Sequence, residues 1–343
     1  MKEMKMEELQ QKKKGIFDPS IAEHRERLAH ATPMLESATE VGFFDLLIPV
    51  RENARIPVRV YAPQLVPNDE DLPTLFYIPG TGFVGHETKF TQVVCSHLAK
   101  MAKCRVITIN HRLAPENPFP ASFLDCYEVI KFFCLGTQGN LIVNKSKMVI
   151  AGYSSGGTLA ALISSKAKKD GIHFLRQVLI SPLMDLSRSL KGFEEFEKKD
   201  TDISQEFANW IIDLYLPENA NPKDPAISPF WLPKKELREY PATDILIGEY
   251  DRFRNDAEFF YLKLKLCGLP VEKYVASGEK HSYLWYKLEV TEKIAECLKR
   301  AFGDQTSDLK NRSTILNICP RIEAETNKNI KDSNGLVFQK SKM

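Results

Sequence analysis

The chain has 343 residues, of which 43% are hydrophobic, a size and composition typical of a globular protein with a sizeable core. Its 47 basic and 45 acidic residues give a formal net charge of +2 at pH 7, which argues against nucleic acid or an anionic membrane surface as a partner. The seven cysteines form no C-x-x-C pair, and most lie in apolar runs, which indicates buried free thiols in a reducing compartment. We therefore expect a small-molecule partner.

The first residues, Met1 to Gly15, are charged and lack the apolar stretch that a secretory signal has. No run of the sequence reaches membrane-spanning length. These observations predict a cytoplasmic protein without a signal peptide or a transmembrane segment. The pair Asp18-Pro19 then predicts the start of a helix that ends near Ala31.

Strand patterns begin near residue 43. Two early strands, 44–50 and 56–61, are separated by a polar turn and are predicted to pair in antiparallel fashion. From Thr74 onwards strands alternate with helices, which predicts an α/β fold with a mostly parallel sheet covered by helices on both faces. The predicted strands are 74–78, 105–110, 147–151, 175–180, 244–247 and 271–276, and the predicted helices are 90–101, 123–134, 158–167, 255–267 and 284–301.

Between Asp185 and Pro241 the alternation stops, and one amphipathic helix, 204–216, lies among charged and Pro-rich residues. An insertion at this point would cover the carboxyl ends of the strands as a lid. The apolar side chains of its helix either contact a bound substrate or pack within the insertion. The candidate substrate contacts are Phe207, Trp210 and Ile211 of this helix, together with Phe83 from an earlier loop.

A serine lies at a predicted strand-to-helix junction in the segment Gly152-Tyr153-Ser154-Ser155-Gly156-Gly157. The pattern G-x-S-x-G at such a junction is typical of a nucleophile elbow, because small residues permit a strained turn and a close approach of the backbone to substrate. The spacing alone is a weak signal, since Gly and Ser are common in loops. The strand before it and the helix after it favour Ser154 as a nucleophile.

A serine hydroxyl needs a general base and a third group that orients the base. Asp251 follows the predicted strand 244–247 and His281 follows the strand 271–276, so both are expected at the carboxyl edge of the sheet. The chain order Ser154, Asp251, His281 is that of an α/β-hydrolase triad. His281 would take the proton from Ser154, and Asp251 would fix the tautomer of His281.

The oxyanion of a tetrahedral intermediate needs preorganised donors. The backbone N–H of Ser155, the residue after the nucleophile, is one candidate. Those of Thr81 and Gly82 are the others, in a Gly-rich loop that follows the first central strand. A plain turn is the alternative explanation for this loop, but its place in the order of elements favours a donor role.

The run NHRLAPENPFPA lies at 110–121, and the runs ISPLMDL, ISP and GEYD lie at 180–186, 227–229 and 248–251. These segments resemble the hormone-sensitive-lipase-like branch of the α/β-hydrolases, and the first of them is similar to the Y-R-L-A-P-E segment of that family. The resemblance covers about 43–301. It implies an α/β-hydrolase fold with a helical cap, hydrolysis of ester substrates, and no metal or other cofactor.

The resemblance also implies a division of the chain. An N-terminal helical segment, 1–42, contributes to the cap, and the hydrolase core consists of 43–185 and 236–302. The cap insertion is 186–235, and a polar C-terminal tail follows at 303–343. Arg112, Glu116 and Asp125 match positions of the family, and we expect them to stabilise loops rather than to react.

The sequence departs from the family at two places. Pro79 and Thr81 stand in a loop where the family usually has H-G-G-G, and Tyr153 stands before the nucleophile where Asp or Thr is common. If the middle glycine of the loop needs a positive φ, a β-branched residue is strained there. We therefore expect a reshaped or weaker oxyanion hole.

The favoured hypothesis is a serine carboxylesterase that acts on esters of short to medium acyl chains through an acyl-enzyme. Two alternatives stay open. One is an amidase or deacetylase with the same triad, and the other is a catalytically silent homologue that binds a ligand. The sequence also leaves open a homodimer and an interaction through the tail at 303–343.

Overall fold

The computed structural model describes residues 20–64, 72–135, 143–190, 199–200 and 202–303. The strands in these ranges are β1 (Val41–Pro49), β2 (Arg55–Pro63), β3 (Thr74–Ile78), β4 (Arg105–Ile109), β5 (Met148–Tyr153), β6 (Arg176–Ile180), β7 (Ala242–Gly248) and β8 (Val271–Ala276). The helices are α1 (Ile21–His30), α2 (Lys89–Ala102), α3 (Ala121–Leu135), α4 (Ser155–Lys169), α5 (Gln205–Tyr215), α6 (Lys234–Leu237), α7 (Arg254–Leu266) and α8 (Leu288–Phe302).

The described strands form one sheet in the order β1-β2-β4-β3-β5-β6-β7-β8. β2 pairs with β1 and with β4 in antiparallel fashion, and all other neighbours are parallel. Every residue of β3, β4 and β5 is buried, as expected for strands that are covered on both faces. The prediction of a mostly parallel sheet with an antiparallel beginning is confirmed.

Alternate residues of each central strand enter two different apolar clusters. Phe76 and Ile78 pack with side chains of α3, α4 and α7 on one face of the sheet. Leu75 and Tyr77 pack with side chains of α2 and α8 on the other face. This period of two is what a strand between two helical layers requires.

The reversal of strand order places two loops side by side. The chain passes from β3 to β4 on one side and then returns to β5 on the other side of β3. In the β3–β5 pair Ile78 lies opposite Gly152, so the loop after β3 adjoins the turn after β5. Ligands of open α/β sheets bind at such a reversal of order.

Several helix starts differ from the prediction; α4, for example, begins at Ser155 rather than at residue 158. α1 begins at Ile21 with Ser20 as its N-cap, because the Ser20 side chain accepts from the Glu23 backbone and the Glu23 side chain accepts from the Ser20 backbone. The predicted start, Asp18-Pro19, lies outside the described residues. The last helix begins at Leu288 rather than at residue 284, because a 3₁₀ helix, His281–Trp285, precedes it.

α1 and α5 lie against each other above the carboxyl edge of the sheet. The His24 ring contacts the rings of Phe207 and Trp210, with centroids 5.2 Å and 5.5 Å apart. α5 also reaches the loop after β3, since a Cβ atom placed on Gly82 would lie 3.3 Å from Cγ2 of Ile211. The proposed division into core, cap and tail stays a prediction, and the tail beyond Gly303 is outside the described residues.

The six cysteines in the described ranges are free thiols, and five of them are buried, as predicted. Cys319 lies outside these ranges. Among the described helices, none is both long enough and apolar enough to cross a bilayer.

Candidate active site

Ser154 occupies the sharp turn between β5 and α4. Its backbone angles, φ 55° and ψ −120°, are unusual for a residue with a side chain and are typical of strain at a functional site. A Cβ atom on Gly152 would lie 2.1 Å from the carbonyl oxygen of Gly156, and one on Gly156 would lie 2.1 Å from that of Ile78. The turn therefore requires the small residues that the motif contains.

The structure brings Ser154, His281 and Asp251 together from three strand ends. Ser154 Oγ lies 3.0 Å from His281 Nε2, and His281 Nδ1 lies 2.9 Å from Asp251 Oδ1. Asp251 Oδ1 also accepts the backbone N–H of Phe253 at 2.8 Å, which fixes the carboxylate. Ser154 is 7% exposed, and the other two residues are fully or almost fully buried.

Charge around His281 favours its protonated form. Burial opposes a positive charge on the ring, but attraction by Asp251, with smaller contributions from Asp200 and Asp202, raises the pKa of His281 above its ordinary value. Burial also opposes ionisation of Asp251, yet the charge and the hydrogen bond of His281 lower the pKa of that carboxyl. An ionised partner of this kind stabilises the imidazolium that forms when histidine takes a proton.

Two of these carboxylates were not predicted. Asp200 Oδ2 accepts the backbone N–H of Arg252 at 2.9 Å, and its Oδ1 accepts that of Asp202 at 2.8 Å. Asp202 Oδ2 accepts the N–H of Ser282, next to His281, at 3.2 Å. The only signal in the sequence was the high charge of the segment before α5, and its spacing does not indicate contact with a residue about 80 positions later.

The three predicted oxyanion donors are not equivalent. The Thr81 N–H donates to Ser155 Oγ at 3.1 Å, whereas the N–H groups of Gly82 and Ser155 have no protein acceptor within the described ranges. Positive φ values occur at Gly82, 58°, and at Phe83, 65°, but not at Thr81. The condition for strain at Thr81 is therefore not met.

A cavity of about 410 Å³ lies against Ser154 and His281. Of the predicted substrate contacts, Phe207 and Ile211 line this cavity. Phe83 and Trp210 do not line it. Phe83 is 0% exposed and stacks on Tyr215 with ring centroids 3.8 Å apart, so it packs in the core.

The cavity wall contains residues that the sequence did not indicate. His24 and Arg27 come from α1, and burial, assisted by the charges of Arg27 and Arg25, lowers the pKa of His24 to about 4. His24 is therefore uncharged at neutral pH. Asp202 and Trp285 also line the cavity. The contacts of His24 and Arg27 with the cavity depend on how α1 packs, which hydrophobic periodicity does not specify.

The charged residues that match the family stabilise loops. Arg112, in the segment after β4, donates from Nη2 to Oδ1 of the buried Asp125 of α3 at 2.8 Å. Glu116 accepts two hydrogen bonds from Arg25 of α1, each 2.7 Å long. Arg25 Nε also donates to the carbonyl oxygen of Val84 at 2.8 Å, which connects α1 to the Gly-rich loop. A structural role for these residues agrees with the interpretation from sequence.

A family model described as α/β hydrolase fold matches residues 75–285. The chain belongs to this α/β-hydrolase family, of the hormone-sensitive-lipase-like type that the sequence resembles. An arylesterase from Saccharolobus solfataricus is 25% identical over 257 residues, which cover 73% of this chain and 81% of the arylesterase. The gibberellin receptor GID1A of Arabidopsis thaliana is 27% identical over 287 residues, 75% of this chain and 79% of the receptor.

Solved structures agree with this assignment. A hyperthermophilic esterase from the archaeon Pyrobaculum calidifontis is 25% identical and superposes with a TM-score of 0.72, covering 87% of this chain and 97% of that esterase. The predicted fold class and the prediction of a carboxylesterase-like hydrolase are confirmed at the level of the family.

Proposed function

We propose that this protein is a serine carboxylesterase that hydrolyses esters of short to medium acyl chains through an acyl-enzyme. The observation that supports this most strongly is the pair of hydrogen bonds from Ser154 Oγ to His281 Nε2, 3.0 Å, and from His281 Nδ1 to Asp251 Oδ1, 2.9 Å. In this arrangement His281 accepts the Ser154 proton as Oγ attacks the ester carbonyl. Asp251 then stabilises the imidazolium.

The attack converts the carbonyl oxygen of the ester into an oxyanion. We assign its stabilisation to the N–H groups of Gly82 and Ser155, because the N–H of Thr81 already donates to Ser155 Oγ. Ser155 is also the first residue of α4, where the helix dipole favours negative charge. His281 next gives its proton to the leaving alcohol. A water molecule, activated by the same histidine, then attacks the acyl-enzyme and releases the acid.

The dimensions of the cavity support a modest acyl chain. Its volume of about 410 Å³ lies in the lower part of the range for small-molecule sites, about 300–1,000 Å³. Phe207, Ile211 and Trp285 give its wall an apolar lining suited to a hydrocarbon chain. Turnover of p-nitrophenyl esters of graded acyl length would locate the preferred chain.

The direct test of this function is Ser154→Ala assayed with p-nitrophenyl esters. Loss of the nucleophile is expected to lower kcat by at least about 10⁴-fold, the order found when triad residues are removed. Ser164→Ala is the matched control, because Ser164 is a buried serine of the same helix α4 and should leave turnover unchanged. Undiminished turnover by Ser154→Ala contradicts the proposal.

Two other functions remain candidates. An amidase or deacetylase would use the same triad, and a comparison of matched ester and anilide substrates separates it from an esterase. A ligand-binding homologue without activity is worth testing because a gibberellin receptor is among the relatives. Such a protein would hydrolyse neither substrate. The cytoplasmic location, the homodimer and the interaction through the tail at 303–343 stay predictions from the sequence.

A further inference from the structure

Tyr153, the last residue of β5, contacts the proposed general base in two ways. Its hydroxyl donates to the backbone carbonyl oxygen of His281 at 2.9 Å. Its ring also stacks on the imidazole of His281, with centroids 5.3 Å apart and planes inclined by 26°. Tyr153 is 3% exposed, so both contacts are shielded from water.

The contacts are specific to a tyrosine at this position. The Tyr153 hydroxyl donates to the carbonyl oxygen of His281, whereas an ionised carboxylate at this position, which only accepts hydrogen bonds, could not. Burial raises the pKa of the Tyr153 hydroxyl well above its usual value, so it keeps its proton and stays a donor. The electron-rich face of the ring also favours a positively charged imidazole beside it.

The neighbours of Tyr153 restrict its movement. A Cβ atom on Gly80 would lie 2.4 Å from Cδ1 of Tyr153, so the backbone of the Gly-rich loop packs directly on the ring. The ring of Trp285 also contacts Tyr153 in an edge-to-face arrangement, with centroids 6.0 Å apart. Tyr153 is therefore held between the loop after β3 and the 3₁₀ helix that begins with His281.

We propose that Tyr153 is a positioning residue for His281, holding the backbone of the base in place and stabilising its imidazolium form. This inference rests on the proposed hydrolase mechanism, because it assigns the role through the histidine of that mechanism. The other ionisable groups that act on the His281 ring are Asp251, Asp200 and Asp202, and none of them contacts its backbone carbonyl oxygen. Tyr153 thus supplies a constraint that the carboxylates do not.

The test is Tyr153→Phe, which removes the hydroxyl and keeps the ring. With a p-nitrophenyl ester, kcat is expected to fall by about tenfold while KM changes little, because a displacement of a catalytic group well below 1 Å is sufficient for such a loss. The acidic limb of the pH profile of kcat/KM should move to lower pH. A displaced imidazolium is stabilised less by the charge of Asp251, so the pKa of His281 falls.

Tyr240→Phe is the matched control. The Tyr240 hydroxyl is also buried and also donates to a backbone carbonyl, that of Ala161, at 2.6 Å, but Tyr240 does not line the cavity. Both variants lose the same kind of bond, so their unfolding midpoints should fall by similar amounts. Only Tyr153→Phe should change kcat and the pH profile.

Three outcomes overturn the inference. The first is a Tyr153→Phe variant with the kcat and the pH profile of the unmodified protein. The second is an equal loss of kcat in Tyr240→Phe. The third is a Tyr153→Phe variant that is unfolded where Tyr240→Phe is folded, because the role of the hydroxyl is then structural. Activity that persists in Ser154→Ala would instead contradict the hydrolase mechanism itself, so the two failures are distinguishable.

Discussion

The backbone of Ser154 shows how closely single residues define this site. Its φ of 55° turns the hydroxyl out of β5 toward His281, and the contacts at Gly152 and Gly156 leave no room for side chains in the turn. The motif therefore predicted the position of Ser154 well, because its glycines are required by steric contacts of the backbone. Tyr153 is different, since its bond to His281 joins residues 128 positions apart and depends on a side-chain orientation.

The charge around His281 predicts the acidic limb of the pH profile. Histidine acts as a base only when it is neutral, so kcat/KM should fall as the pH drops through its pKa. Because that pKa is raised, the midpoint of the limb is expected above 6.5, the ordinary value of a histidine. Initial rates measured with a p-nitrophenyl ester at a series of pH values above and below 6.5 locate the midpoint.

Asp202→Asn tests the cause of that shift. It removes one of the carboxylates that raise the pKa of His281, so the midpoint should move to lower pH. Asp213→Asn is the control, because Asp213 forms an ion pair with Arg188 and does not line the cavity. A limb centred below 6.5 in the unmodified protein, or an unchanged limb in Asp202→Asn, would contradict this electrostatic explanation.

At the scale of elements, the sequence predicted the sheet better than the helices that cover the site. The bounds of β3 and β8 agree with the prediction, because apolar strands between turn residues give a clear signal. The predicted start of α8 was wrong, because the residues just before it belong to a 3₁₀ helix, His281–Trp285, and not to α8. The resemblance predicted that the N-terminal helical segment contributes to the cap, but not that His24 lines the cavity, because that contact depends on how α1 packs against α5.

The contact between the Gly-rich loop and α4 leads to a further prediction. Ser155 Oγ accepts the N–H of Thr81, which otherwise could donate to the oxyanion. Ser155→Ala should therefore leave kcat unchanged or raise it, by up to about tenfold, since one oxyanion donor is worth about 10²–10³ in rate when optimally placed. The measurement is kcat for a p-nitrophenyl ester.

Ser164→Ala again serves as the control, because it removes a buried hydroxyl of α4 at a distance of more than two helical turns from the loop. A fall of kcat by tenfold or more in Ser155→Ala alone would mean that the hydroxyl of Ser155 holds the loop in its active conformation. That result would also show that the oxyanion hole needs the observed hydrogen bond from the Thr81 N–H to Ser155 Oγ.

At the scale of the whole molecule, the order of the strands accounts for the site. Ser154, Asp251 and His281 follow β5, β7 and β8, which are parallel and end at the same edge of the sheet. Their convergence could be predicted because alternation of strands and helices implies parallel strands. The positions of Asp200 and Asp202 could not, because these side chains bond to the backbone of Arg252 and Ser282, which are distant in sequence.

Reaction with a fluorophosphonate tests whether Ser154 is an activated nucleophile. The unmodified protein should gain one phosphonyl group, located by mass spectrometry on the peptide that contains Ser154, and a prior incubation with an ester substrate should slow the reaction. Ser154→Ala should not react, although it keeps Ser155 beside the site. Absence of the adduct from the folded protein, or an adduct on another residue, would contradict the assignment of Ser154 as the nucleophile.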